Sequence, residues 1–228
     1  MITQDTLKVT TKSDEPLAIY LAPFDEEALG VVMPTDPNLR RFFPVTSAAI
    51  YENAATVLSA HDQYPASVAW GIYRQNVAPH NFLGTVSLSK CQQRTPWGPY
   101  MSSRYQEIGT FIMRENECRK GIGTLAKLAL MAQAIESEGT SAFLATVSEH
   151  NLAAQGSLTK AGFSHFETFD YEGLPGGEAC QTWIVGEPGV RPIIIAKAGG
   201  PPDIGNDLQK GWERFVAARQ HIAVEAIT

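Results

Sequence analysis

Short apolar runs bounded by turn residues recur along the chain. Residues 17–23 (LAIYLAP), 68–74 (VAWGIYR), 82–89 (FLGTVSLS), 105–113, 142–147, 163–171 and 180–185 each read as a strand. The second and third are separated by residues 75–81, the pattern of an antiparallel hairpin with a loose turn. The last two flank a Gly/Pro turn at 173–177. Elsewhere the period lengthens. Leu125, Leu128, Ala129, Ala132 and Ile135 recur at helical spacing, so residues 123–138 predict a helix with one buried face, ended by Gly139. Residues 152–160 predict a shorter helix, introduced by Asn151 and stopped by Gly162. Asp25-Glu26-Glu27 place acidic side chains where they favour a helix start, and Pro34 and Pro37 end that segment. Ser47 caps a further helix carrying Ile50, Ala54, Val57 and Leu58. Residues 90–104, with Pro96, Gly98 and Pro99, read as a long loop.

The resulting order is strand, helices, three strands, helix, strand, helix, two strands. Alternation of strand and helix is confined to the middle, which predicts an α/β (α+β) fold, a mixed sheet with helices on its faces. The tail differs in kind. Ile193-Ile194-Ile195 is followed by Gly199-Gly200-Pro201-Pro202, a linker signal, and Asp207 is placed to cap a last helix with Leu208, Trp212, Phe215, Ile222 and Ala223 on one side. The expected division is a domain over residues 1–188 and a C-terminal extension over 189–228.

Composition narrows the function classes. Of 228 residues, 44% are hydrophobic and 18% charged, enough for an ordinary core. The net charge of -6 and the lack of a Lys/Arg cluster argue against nucleic acid. Cys91, Cys118 and Cys180 form no CxxC pair, and the five histidines form no metal-binding spacing, so no metal is expected. No apolar stretch approaches the roughly 20 residues of a membrane span, and the N-terminus lacks an apolar signal core. A soluble cytoplasmic protein without a membrane partner is the expectation.

The chemistry concentrates at Arg119-Lys120-Gly121-Ile122-Gly123-Thr124, where a polar connection opens onto the long helix. The first turn of a helix leaves backbone N–H groups without acceptors, with the positive end of the dipole behind them. Glycines at 121 and 123 let an anion approach that backbone, and Arg119 and Lys120 add positive charge at its rim. With Ala126 the spacing also fits a looser dinucleotide fingerprint. That fingerprint, however, needs its first glycine directly after a strand, and the polar stretch 114–120 intervenes.

The segment Cys118-Arg119-Lys120-Gly121-Ile122-Gly123 resembles the cofactor turn of the GNAT acetyltransferases, Arg/Gln-x-x-Gly-x-Gly/Ala, with Cys118 where Arg or Gln is usual. Asn151-x-x-Ala154 followed by Lys160-Ala161-Gly162-Phe163 resembles a second segment of that family. The resemblance runs from about Leu17 to Val185, and residues 36–44 (DPNLRRFFP) resemble the branch that acetylates ribosomal-protein N-termini and aminoglycoside-like amines. It implies a mostly antiparallel central sheet flanked by helices, with a C-terminal helical extension. It also implies acetyl-CoA as acyl donor, and as acceptor an amine of a small molecule, a protein N-terminus or a lysine.

By that resemblance, Arg119, Lys120, Gly121, Ile122, Gly123 and Thr124 hold the coenzyme A pyrophosphate. Phe111, Ile112, Met113 and Asn151 line the pantetheine arm. An amine must lose a proton before it attacks, and Glu107, early in the strand before the turn, is the candidate general base. An apolar strand environment raises a carboxyl pKa toward neutrality. A backbone N–H near Ile112–Met113 is the candidate oxyanion donor. The family's tyrosine falls on Leu158, which cannot donate a proton; Ser157 is the candidate substitute, with Thr159 on its other side. Trp97, Tyr100 and Tyr171 are candidate substrate walls. The rival reading is an acyl-CoA-binding or protein-interaction module without catalysis, its last helix a working surface or a homodimer contact.

Overall fold

The structure, a computed structural model, describes residues 5–23, 67–90, 94–95, 98–99, 105–170, 179–188 and 205–227. The helices expected within 25–58, the segment 36–44 and the aromatic residues Trp97, Tyr100 and Tyr171 lie outside these residues. The strands are β1 (Thr6–Thr11), β2 (Ala18–Pro23), β3 (Ser67–Tyr73), β4 (Phe82–Lys90), β5 (Arg94–Thr95), β6 (Gly98–Pro99), β7 (Tyr105–Ile112), β8 (Ala142–Ser148), β9 (Ser164–Asp170), β10 (Ala179–Gly186) and β11 (Ile222–Ile227). The helices are α1 (Ile122–Glu138), α2 (Leu152–Lys160) and α3 (Gly205–Gln220).

Nine strands form one sheet in the order β11-β1-β2-β3-β4-β7-β8-β10-β9, while β5 and β6 pair with each other. Every pairing is antiparallel except that of β7 with β8. The mixed, mostly antiparallel sheet expected from the family resemblance is present. β1 was hidden in a polar start: only Leu7 and Val9 are apolar, but they alternate with Lys8 and Thr10 and are fully buried.

Helix α1 is the crossover that a parallel pair requires. It starts at Gly121 and is closed by Gly139, both left-handed, with φ of 83° and 66°. Its burial exceeds the single face expected. Ile122, Leu125, Ala126, Leu128, Ala129, Leu130, Met131, Ala132 and Ala134 are all buried. One side lies on β7, β4 and β1, and α2 and α3 cover the rest.

The tail corrects the sequence expectation. Its helix begins at Gly205, before Asp207, and ends at Gln220; Ile222 and Ala223 then start a strand rather than continue the helix. β11 pairs with β1 from Thr6↔Ile227 to Thr11↔Ile222. Phe215 is fully buried, and Leu208, Phe215 and Ile222 join the buried apolar set. Two glycines allow the docking. A Cβ on Gly162 (φ 94°) would lie 2.5 Å from the Gly211 carbonyl oxygen, and one on Gly211 would lie 2.5 Å from that of Gly162. Arg219 pairs with Glu136 of α1, and Arg214 donates to the Ser164 hydroxyl at 3.3 Å. Helix and strand thus share the core of the sheet, Phe215 from the helix and Ile222 from the start of the strand.

Phe215→Ala is expected to destabilise the protein by about 3–5 kcal/mol through the cavity it leaves. Gly162→Val is expected to cost at least about 2 kcal/mol from backbone strain and the clash with α3. Urea unfolding monitored by circular dichroism measures both.

Candidate active site

β7 and β8 pair only through Tyr105↔Ala142, Gln106↔Phe143 and Glu107↔Leu144, although β7 continues to Ile112 and β8 to Ser148. Beyond Glu107 the two strands form a fork. Alternation along β7 assigns its faces. Gln106, Ile108, Thr110 and Ile112 turn toward α1: a Cβ on Gly123 would lie 3.5 Å from Thr110 and 3.7 Å from Ile112, and Gln106 donates to Glu138 at 2.6 Å. Tyr105, Glu107, Gly109 and Phe111 lie on the opposite face.

The first turn of α1 therefore sits over the open half of β7. Its first intrahelical hydrogen bond runs from the Leu125 amide to the Gly121 carbonyl, 2.9 Å. The amides of Ile122, Gly123 and Thr124 precede it and have no acceptor within the helix. Gly121 is exposed, and a Cβ there would meet only Leu17, at 3.9 Å. Arg119 holds the left-handed conformation with φ 64°, a strained setting for a side chain of its size. Lys120 pairs with Glu117 at 3.3 Å, and Glu117 also meets Arg74 at 3.3 Å, so the rim charge of Lys120 is partly offset. Cys118 donates to the Arg114 carbonyl and presents no charge. The cradle fits a phosphate ester: outward amides, no Cβ in the way and net positive side chains.

Glu107 stands at the vertex of the fork. Burial pushes its carboxyl pKa up, and a hydrogen bond with the Thr146 side chain, two residues past Leu144 on β8, partly opposes the shift. Arg114, just past the end of the same strand, donates to the His80 carbonyl at 2.8 Å. Of the other candidates, Phe111 and Ile112 lie on the open half of β7, on opposite faces. Met113 is buried, and its amide donates to the Leu83 carbonyl at 2.8 Å, so that N–H is committed to β4. Asn151 is the N-cap of α2, its carboxamide oxygen accepting from the Ala154 amide at 3.0 Å.

Ser157 and Thr124 come together, their hydroxyls 3.0 Å apart, and Lys127 donates to Ser157 at 3.0 Å. Ser157 thus faces α1, on the opposite side of the sheet from Glu107. Thr159 turns back to the Gln155 carbonyl, and Leu158 is buried in the core. Sequence reasoning missed Lys127 and Thr146. Lys127 is only 6% exposed, and burial lowers its pKa to about 8. The sole signal was a lysine interrupting an apolar helix; nothing in the sequence marked Thr146. Among the described residues no cluster of three potential metal ligands occurs, and no helix is long and apolar enough to cross a membrane.

Comparison with known proteins bears on the family and the fold. The family model described as "Acetyltransferase (GNAT) domain" matches residues 19–164. Among curated proteins no sequence match is found. Among solved structures, the chain is similar to Mycobacterium smegmatis RimJ in complex with CoA-disulfide (TM-score 0.60, 13% identity, 96% of each chain covered). It is also similar to RimL, a ribosomal L7/L12 alpha-N-protein acetyltransferase (TM-score 0.56, 15% identity, 78% of this chain and 93% of that one). A GNAT-family acetyltransferase from Bacillus anthracis gives TM-score 0.56 at 13% identity, covering 78% of this chain and 98% of that one. At such identities these neighbours establish the fold, while the family model spans more than half of the sequence. The chain belongs to the GNAT acetyltransferase family.

Proposed function

We propose that the protein transfers an acetyl group from acetyl-CoA to a primary amine. The observation that carries this reading is the fork between β7 and β8, with the α1 N-terminus over its open half and Glu107 at its vertex. In this reading the transfer chemistry belongs to residues 1–188, and residues 189–228 form an extension. The amides of Ile122, Gly123 and Thr124, with Arg119 and Lys120, hold the diphosphate. Phe111, Ile112 and Asn151 border the path of the pantetheine arm; Met113 contributes through packing only, since its amide is engaged with β4. Acetyl-CoA supplies the activated thioester.

An alkyl ammonium has a pKa of about 10 and cannot attack until deprotonated. Glu107 accepts that proton: desolvation strengthens its basicity, and the Thr146 hydrogen bond fixes its position. The Met113 amide is not the oxyanion donor, because Leu83 already accepts from it. The leaving thiolate, with a pKa of roughly 8.5, departs without a strong acid. Neither the leucine at the family's tyrosine position nor the inward hydroxyl of Ser157 therefore blocks turnover. The RimL likeness and residues 36–44 make a protein N-terminus the first acceptor to try, followed by lysine side chains and small amines. The buried Leu158 favours a second reading, acyl-CoA binding without catalysis. Acetyl-CoA turnover with any amine excludes it.

Gly121→Glu places a carboxylate among the anion-binding amides, and calorimetric titration is expected to show micromolar acetyl-CoA binding lost. Glu107→Gln is expected to leave that binding intact while kcat falls about 100-fold or more, the scale of general-base catalysis. Unchanged turnover would remove Glu107 as the base. The base must be ionised, so kcat/KM should rise with pH through a value above the usual carboxyl range. Thr146→Val removes a bond that favours the carboxylate and should move that limb to still higher pH.

A further inference from the structure

The mechanism above makes no use of the cation at Lys127. Burying an ammonium group is costly unless an opposite charge or other compensation comes with it. Among the described residues no carboxylate lies within ion-pairing distance of it: the ion pairs formed there belong to Arg74, Lys120, His150 and Arg219. Among the described residues, the groups facing it are uncharged. From α2 comes the Ser157 hydroxyl, 3.0 Å away, itself 3.0 Å from Thr124 of α1. On the α1-facing side of β7, Thr110 packs against Gly123, its hydroxyl buried and making no hydrogen bond. In the adjoining connection Arg119 and Lys120 are cations, Glu117 is already paired with Lys120 and Arg74, and Glu107 projects from the other face of β7. The ammonium lies directly behind the first turn of α1, where a Cβ on Gly123 would come within 3.9 Å of Nζ. An interior cation behind a row of outward amides is half of a charge pair, and the missing half fits an anion seated on those amides.

We propose that Lys127 is the buried counter-cation of the diphosphate held at the α1 N-terminus, acting through the turn rather than by contact, so that acyl-CoA binding and protonation of Lys127 favour each other. This rests on the reading of the turn as the cofactor site. The physical basis is twofold. Charges separated by protein are screened less than charges on the surface. Coupling between two binding equilibria is reciprocal, so a diphosphate that gains from the ammonium must also retain its proton. Ser157 serves both states, because its hydroxyl accepts from the ammonium and donates to the neutral amine. With a pKa of about 8 in the free protein, Lys127 loses its proton within the pH range open to a binding titration.

The test is isothermal titration calorimetry with acetyl-CoA, without an amine, at about pH 7 and about pH 8.5 in two buffers of different ionisation heat; acetyl-CoA carries no free thiol to confuse the proton count. Wild-type protein is expected to take up roughly half a proton at the higher pH and little at the lower, with affinity falling about threefold between them. Lys127→Met keeps the volume and removes the charge. It should abolish the uptake and weaken binding at neutral pH about tenfold. Binding without uptake at the higher pH, or equal uptake in Lys127→Met, overturns this inference and leaves the acyltransferase reading standing. A wild-type protein that binds no acetyl-CoA overturns both.

Discussion

β7 and β8 pair in parallel from Tyr105 and Ala142 to Glu107 and Leu144 and no further, and the layout of the site follows from that limit. A parallel pair needs a crossover, and here it is α1, whose first turn must lie beyond the end of β7. That is the end at which the pairing has already stopped. The helix N-terminus, with its outward amides, is thereby set over an opening in the sheet rather than over a closed edge. The last paired residue, Glu107, marks the vertex, where a backbone on each side limits its exposure to water.

The same physical cause acts in opposite directions on two groups. Desolvation raises the pKa of Glu107 on one face of the sheet and lowers that of Lys127 on the other, because burial disfavours whichever form is charged. The polar contacts differ to match. Thr146 partly restores the carboxylate at Glu107, whereas Lys127 donates to the Ser157 hydroxyl. The opening between the strands thus has the α1 N-terminus, the candidate anion site, on one face and the candidate base on the other. The acetyl transfer proposed for this protein needs those two properties.

The tail explains how α1 is kept in place. α1 is buried beyond the face it turns to the sheet because α2 and α3 cover it, and α3 approaches closely through Gly162 and Gly211. Gly162 belongs to the Lys160-Ala161-Gly162-Phe163 segment that carries the family resemblance. Here its lack of a side chain also admits the final helix. β11 then covers the edge of β1, so residues far from the fork in sequence help fix the helix whose N-terminus forms the candidate anion cradle.

Local signals in the sequence determined a good deal. Alternating and helical periods located β2, β3, β4, β7, β8, β9, β10, α1 and α2, and the Gly121–Gly123 turn before a long helix marked the candidate anion cradle. These features depend on neighbours within a few residues, which a sequence displays directly. β1 escaped notice because two apolar residues are too few to announce a strand, and β11 because a helix-like spacing ran on past His221. Only the tertiary structure decided the rest. Where β7 and β8 part, that Thr146 reaches Glu107, that the Met113 amide is taken by Leu83, and that Lys127 is buried against Ser157 all depend on segments brought together across the chain. A lysine within an apolar helix reads in sequence as a break toward solvent. It became an interior cation only when α2 closed over the side of α1 that the sheet leaves open.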